Sequence, residues 1–284
     1  DTVTWTNIVA KGVTPSAKVI YFRGCATDTK SLFTNTDTSN AWLFTGAGSL
    51  EVNGDITMLL QDSLGGMVRD IPLASNAFAL MFRLCTSLTT APRLPSTTLA
   101  DNCYNNMFIG CNSLTTPPAL PATTLASGCY YGMFRECTSL TTIPKLPATT
   151  LVNNCYYEMF YGCTSLTVVP VLPATTLASY CYYGMFYNCN NLTVAPGLPA
   201  TTLAPSCYSY MFYGCKKLTT TPELPVTKLA NNCYQGMLEG CTGLTTPPVL
   251  PATTLATSCY SYMLRGCTGL TTPPELPATT LADN

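Results

Sequence analysis

Residues 88–113 read LTTAPRLPSTTLADNCYNNMFIGCNS, and this 26-residue pattern recurs without insertion or deletion up to the C-terminus. Each copy begins with a leucine: Leu88, Leu114, Leu140, Leu166, Leu192, Leu218, Leu244 and Leu270. Self-similarity at a fixed period is typical of a solenoid, in which each copy packs mainly on its neighbours. The sequence therefore predicts a stack of seven complete copies and a partial eighth, preceded by a half-copy over residues 73–87.

The first half of each copy is predicted to be extended. In residues 88–99, threonine, leucine and proline dominate, and charge is scarce. Pro92 and Pro95 exclude a helix there and interrupt backbone pairing, so we expect short ladders between copies and no long strands.

The second half has a different spacing of apolar residues. They fall at intervals of four, one and three: Cys103, Met107, Phe108 and Cys111. This spacing favours one face of a short helix. Asn102 is predicted to cap the start of that helix, and Gly110 is predicted to end it in the left-handed conformation.

The chain before the copies does not repeat. Stretches 18–23 and 41–45 have the aromatic and β-branched content of strands, and stretch 49–58 contains an Asn-Gly pair typical of a tight hairpin. The predicted organisation is a β-rich N-terminal cap over residues 1–70 and a solenoid over residues 71–284. Since the partial copy stops at Asn284 without a polar lid, we expect either that the natural chain continues or that another surface covers this end.

Composition excludes several classes of function. Only 10% of residues are charged and the net charge is -1, so the chain lacks the basic surface that nucleic acid or anionic lipid requires. No apolar run reaches the roughly 20 residues of a membrane-spanning helix. Histidine is absent, and the acidic residues Asp101, Glu136, Glu158 and Glu239 lie in different copies. We therefore predict a protein without catalytic residues, cofactor or metal.

The chain has sixteen cysteines, and all except Cys25 fall into two columns in which successive members are 26 residues apart. Pairing within a copy, as Cys103 with Cys111, would leave Cys25 for Cys85, and pairing of Cys85 with Cys103 is a second scheme. Eight residues along a helix separate two Cα atoms by roughly 12 Å, which exceeds the reach of a disulfide. Free, buried thiols are the favoured interpretation, and a zinc site is disfavoured because histidine is absent.

The full motif, C-x-x-L...P-x-L-P...L...C-Y-x-x-M-F-x-G-C, resembles the BspA-like, Treponema-type leucine-rich-repeat family. Its usual unit has about 23 residues, of the form C-x-x-L-x-x-I-x-I-P-x-x-V-x-x-I-G-x-x-A-F-x-x-C. Leu88 matches the first leucine, Pro95 the proline, Cys103 the isoleucine before glycine, residues 107–108 the Ala-Phe pair and Cys111 the closing cysteine. In this chain the unit is longer, and Cys-Tyr replaces Ile-Gly.

The resemblance implies an α/β leucine-rich-repeat solenoid whose 26-residue units contain short strands and a short helix. It also implies a bacterial protein that is secreted or anchored at the cell surface and adheres to host proteins, other cells or glycans. The family has no common catalytic residues. A structural spacer that displays another domain and binds no ligand of its own is the alternative.

Tyrosines are the candidate binding residues. One tyrosine column is invariant and is predicted to pack inside, with hydroxyls at the rim: Tyr104, Tyr130, Tyr156, Tyr182, Tyr208, Tyr234 and Tyr260. The irregular tyrosines are predicted to form an exposed, stacked stripe that binds ligand: Tyr131, Tyr157, Tyr161, Tyr183, Tyr187, Tyr210, Tyr213 and Tyr262. An amphipathic surface that binds nothing is the alternative. A second variable column is also predicted to face outward: Arg93, Ala119, Lys145, Val171, Gly197, Glu223, Val249 and Glu275.

Overall fold

The computed structural model describes residues 19–21, 50–53, 73–280 and 282. Three strands form one sheet in the order β1-β2-β3: β1 is Val19–Tyr21, β2 is Leu50–Asn53 and β3 is Leu88–Thr90. Both pairings are parallel, with an irregularity in β2 where it meets β3. The non-repeating region thus supplies two strands to a ladder that the first copy continues.

The N-terminal predictions have mixed outcomes. Strand β1 lies within the predicted stretch 18–23, and β2 lies within 49–58. Because β2 pairs in parallel on both sides, these pairings are not those of a hairpin. The rest of the predicted hairpin and stretch 41–45 lie outside the described residues, and the domain boundary near residue 70 stays a prediction.

The second half of each copy consists of consecutive turns, and the predicted short helix is wrong: the described residues contain no helix. Eight segments of ten residues recur at the 26-residue period. We call them turn segments: 75–84, 101–110, 127–136, 153–162, 179–188, 205–214, 231–240 and 257–266. Between them the chain is extended, with isolated parallel bridges between successive copies, such as Thr150 with Thr176. The short ladders predicted for the first half of each copy are confirmed as isolated bridges.

Amide groups in a turn segment alternate between two kinds of partner. Odd-numbered amides close turns three residues back, as when the Tyr157 amide donates to the Asn154 carbonyl at 3.3 Å. Even-numbered amides donate to the next copy: Tyr156 to Cys181 at 3.0 Å and Phe160 to Met185 at 3.0 Å. An α-helix would instead bond every amide four residues back. Because half of these bonds cross to the neighbouring copy, a turn segment depends on the next one.

Left-handed residues punctuate the turn segments every four residues. All positive-φ residues among those described belong to three columns, represented in one copy by Asn102, Asn106 and Gly110. Each occupies the third position of a turn, where a type II turn requires positive φ. Gly110 is left-handed at φ 73, as predicted, whereas Asn102 at φ 53 is a turn residue and no helix cap.

The interior is one continuous apolar cluster that runs from Leu73 to Cys267. Phenylalanines of successive copies, from Phe82 to Phe212, stack with ring centroids 5.4–5.8 Å apart. The invariant tyrosines stack beside them at 5.7–5.9 Å, so their predicted packing is confirmed. Their predicted rim hydroxyls are wrong for Tyr156 and Tyr260, whose hydroxyls are buried and have no hydrogen-bond partner.

The second cysteine column links successive copies. The thiol of Cys137 donates to the Phe108 carbonyl at 3.0 Å, and the same carbonyl also accepts the Cys111 amide at 3.1 Å. This arrangement recurs from Cys111 to Cys267. From Cys103 onward every cysteine is a free, buried thiol, which agrees with the favoured interpretation. Cys25 lies outside the described residues.

Substituting Gly240 by alanine should lower the free energy of unfolding by about 1–2 kcal/mol, because a left-handed backbone strains any residue with a Cβ. Space is not the obstacle, since a Cβ at Gly240 would lie 3.6 Å from its nearest neighbour, Gly214 Cα. The matched control is Gly197→Ala, where φ is not left-handed and nothing lies within 4 Å of the added Cβ. That variant should be neutral or slightly stabilising. Urea unfolding checks both, and equal losses would contradict the turn geometry.

Candidate binding face of the turn segments

Side chains of a turn segment alternate in pairs between interior and surface. In one copy, residues 155–156 and 159–160 are buried, whereas residues 157–158 and 161–162 are partly exposed. The inward positions are buried in every copy up to residue 238, and among the outward side chains those of Ser209 and Glu239 are buried as well. The outward positions of successive copies form columns that run along the stack. We call the surface made by the equivalents of 157, 158, 161 and 162 the turn face.

Six of the eight predicted tyrosines form two stacked rows on the turn face. The first row is Tyr131, Tyr157 and Tyr183, and the second row is Tyr161, Tyr187 and Tyr213. Neighbouring ring centroids are 4.2–4.6 Å apart and the rings are within 13° of parallel. We call them the tyrosine rows. The predicted stacking is confirmed, but the rings are half-buried by one another and not fully exposed.

This stacking decides what the tyrosine rows can offer a ligand. Ring faces inside a row are covered by the neighbouring rings, so the edges and hydroxyls face outward. Burial within the row raises the pKa of Tyr131 above its ordinary value, and the nearby Glu158 carboxylate adds to this shift. A ligand would therefore meet ring edges and hydroxyls and would not stack on a ring face.

The remaining two predicted tyrosines occupy the left-handed column beside these rows. Tyr210 meets Tyr183 edge-on at 5.5 Å. Its ring covers Gly236 in the next copy, where an added Cβ would lie 2.3 Å from a ring carbon. Tyr262 is 54% exposed, and the Arg265 guanidinium lies 4.7 Å from its ring centroid. Tyr210 therefore adjoins the rows, whereas Tyr262 lies apart from them.

Charged residues lie at both ends of the second tyrosine row, and this arrangement was not predicted from the sequence. Arg135 lies 4.3 Å from the Tyr161 ring centroid and pairs with Glu158. Beyond Tyr213, the nearly buried Glu239 pairs with Arg265. The signal was present, because one column of the alignment of copies reads Arg135, Tyr161, Tyr187, Tyr213, Glu239 and Arg265.

At the Arg135 end of the second tyrosine row, two effects act on the pKa of Glu158 in opposite directions. Burial raises the pKa of the Glu158 carboxyl, and the Arg135 guanidinium opposes this shift. Arg135 also lies 3.5 Å from the Glu136 carboxylate, so one cation serves two anions. This end of the row is therefore a compact cluster of one cation and two anions.

The second variable column faces outward as predicted. All eight of its members are exposed, and Val171 and Val249 are 83% and 81% exposed. Since valine at such exposure contributes little to folding, this column is open to change without cost to the stack.

The described residues contain no cluster of three or more histidine, cysteine or acidic side chains that could hold a metal ion. Within the same residues, no helix is long and apolar enough to cross a membrane. Burial raises the pKa of the Cys129 and Cys137 thiols to about 12, so they are protonated and poor nucleophiles at neutral pH.

Comparison with known families assigns the chain to a repeat family. The model of the BspA type leucine rich repeat region, with 6 copies, matches residues 77–193 and 101–245, which together span more than half of the sequence. The chain belongs to the BspA-type leucine-rich-repeat family, as its motif indicated, and is a repeat solenoid. Neither the curated proteins nor the solved structures contain a match to it.

The cysteines from Cys103 to Cys241 should resist alkylation in the folded protein. They are buried, and burial raises the pKa of Cys129 and its neighbours. At about pH 8, iodoacetamide should therefore not reach these thiols, and the thiols should remain protonated and unreactive. After unfolding in guanidinium chloride without reductant, every one of them should react, since none is bridged. Peptide mass spectrometry measures both states. Modification that needs prior reduction would contradict the free thiols.

Proposed function

We propose that this chain is a non-enzymatic bacterial surface protein whose turn face adheres to proteins or glycans of a host or of neighbouring cells. Leucine-rich-repeat domains generally serve as binding scaffolds, and the BspA-type family is typically found in surface repeat proteins. The extracellular location belongs to the same proposal. The composition, which offers no strongly charged surface, supports a protein or glycan partner over a nucleic acid.

The single observation that carries the proposal is the difference between the interior and the turn face. Interior columns hardly change between copies, whereas the outward position at Tyr161 is isoleucine, arginine, tyrosine or glutamate elsewhere in the stack. Substitution at this position does not alter the packing of the copies, because its side chain is not part of the apolar core. Tyrosine is favoured at such a surface since it offers large contact area with few rotatable bonds.

A spacer role is the second candidate, and one observation favours it. The rings of the tyrosine rows stack on one another, so they stabilise the surface of the stack without any ligand. If the chain is a spacer, stabilising the surface of the stack is the only role of the rows. The two candidates differ in what the outward hydroxyls do.

A phenylalanine variant separates the two candidates. The triple substitution Tyr157→Phe, Tyr183→Phe and Tyr210→Phe keeps the stacked rings and removes three outward hydroxyls. A glycan array and an array of extracellular-matrix proteins first identify what the unmodified protein captures. Three lost hydrogen bonds at about 0.5–1.5 kcal/mol each should then weaken capture at least roughly tenfold. The melting temperature should stay nearly unchanged.

The matched control is the double substitution Val171→Ser and Val249→Ser on the other exposed column, which should leave capture intact. Capture that the phenylalanine variant leaves unchanged and the serine variant lowers would move the binding face to that column. No capture on either array by the unmodified protein would favour the spacer.

A further inference from the structure

The closest pair of aromatic rings on the turn face is Tyr187 with Tyr213. Their ring centroids are 4.2 Å apart and the ring planes differ by 11°. The corresponding interior pair, Tyr182 with Tyr208, has its centroids 5.7 Å apart. Two phenols are therefore held face to face.

These tyrosines are also among the oxidisable side chains that solvent reaches. Among the described residues from 103 to 241, every cysteine and methionine is fully buried. Tyr187 and Tyr213 are half-exposed in the same range. An oxidant in solution would therefore reach the tyrosine rows before it reached any sulfur in this range.

We propose that Tyr187 and Tyr213 are a site of oxidative cross-linking, in which a one-electron oxidant of the haem-peroxidase class joins the two rings as dityrosine. The inference does not depend on the proposed function. It concerns a covalent link between two adjacent copies of the stack, which would fix their register.

The reaction balances with hydrogen peroxide as the terminal oxidant. Each phenol loses one electron to the peroxidase and its hydroxyl proton to water, which gives two phenoxyl radicals. A carbon–carbon bond forms between the ring carbons next to the two oxygens. Each bonded carbon then releases its hydrogen as a proton, and each oxygen takes up a proton to restore its hydroxyl. In total two electrons and two protons leave the tyrosines, and they convert one hydrogen peroxide into two water molecules.

Geometry favours this pair over coupling between molecules. Two groups already in van der Waals contact react as an intramolecular pair, which avoids the entropy loss of bringing them together. Tyr161 with Tyr187 is the next pair in the row, at 4.6 Å, and it competes for the Tyr187 radical. The shorter distance makes Tyr213 the preferred partner.

Peroxidase with hydrogen peroxide, applied to the dilute folded protein, tests the proposal. Cyanogen bromide cuts after Met185, Met211 and Met237, so Tyr187 lies in fragment 186–211 and Tyr213 lies in fragment 212–237. The expected result is a covalent pair of these two fragments with dityrosine fluorescence, formed within a monomer. Cross-linking should also raise the melting temperature. The same treatment of the unfolded chain should lose most of that linked pair.

Matched phenylalanine variants locate the bond. Tyr213→Phe and Tyr187→Phe each keep the ring stack and remove one phenol, so each variant should lose the linked fragments. Linked fragments that persist in Tyr187→Phe would place the bond at Tyr210, whose ring centroid lies 6.2 Å from that of Tyr213, and would overturn the proposal. Tyr208→Phe changes a buried tyrosine of the same fragment pair and should leave them unchanged. Linked fragments that persist in Tyr213→Phe, dityrosine that appears mainly between molecules, or no dityrosine in the folded protein would each overturn the proposal.

Discussion

The structure depends on the division of backbone hydrogen bonds in the turn segments. Odd-numbered amides close turns within a copy and even-numbered amides bind the carbonyls of the next copy. A copy on its own would leave half of these amides without a partner inside the protein. Stacking therefore completes the backbone bonding at the same time as it buries the apolar columns, and neither part of the stabilisation is available to an isolated repeat.

The same division fixes what the surface can display. Because the turns repeat every four residues, two side chains in each four enter the core and two face outward. The stack then places equivalent outward residues next to one another, so tyrosine at the same position in three successive copies becomes a stacked row. A different residue in one copy, such as Arg135 or Glu239, ends the row without altering the backbone turns and the core beneath it.

Much of this architecture was predictable from the sequence. The period, the family, the extended first half, the interior columns and the left-handed Gly110 follow from the repeat and from turn chemistry. The predicted helix failed because a period of 3.6 and a period of four differ by less than one residue over a segment this short. The positive-φ columns at Asn102 and Asn106 carry asparagine, glycine or serine in many copies, and their four-residue spacing was the missed signal. Tyrosine stacking was predicted, but mutual covering of the ring faces follows from inter-copy distances that a single chain pattern does not contain.

Hydrogen-bond scalar couplings measured by NMR on the deuterated protein test the central claim most directly. The amide nitrogen of Phe160 should couple to the carbonyl carbon of Met185 in the next copy, and the Tyr157 amide should couple to the Asn154 carbonyl in its own turn. Coupling of the Phe160 amide to the Tyr156 carbonyl, four residues back, would show a helix instead and would contradict the turn segments.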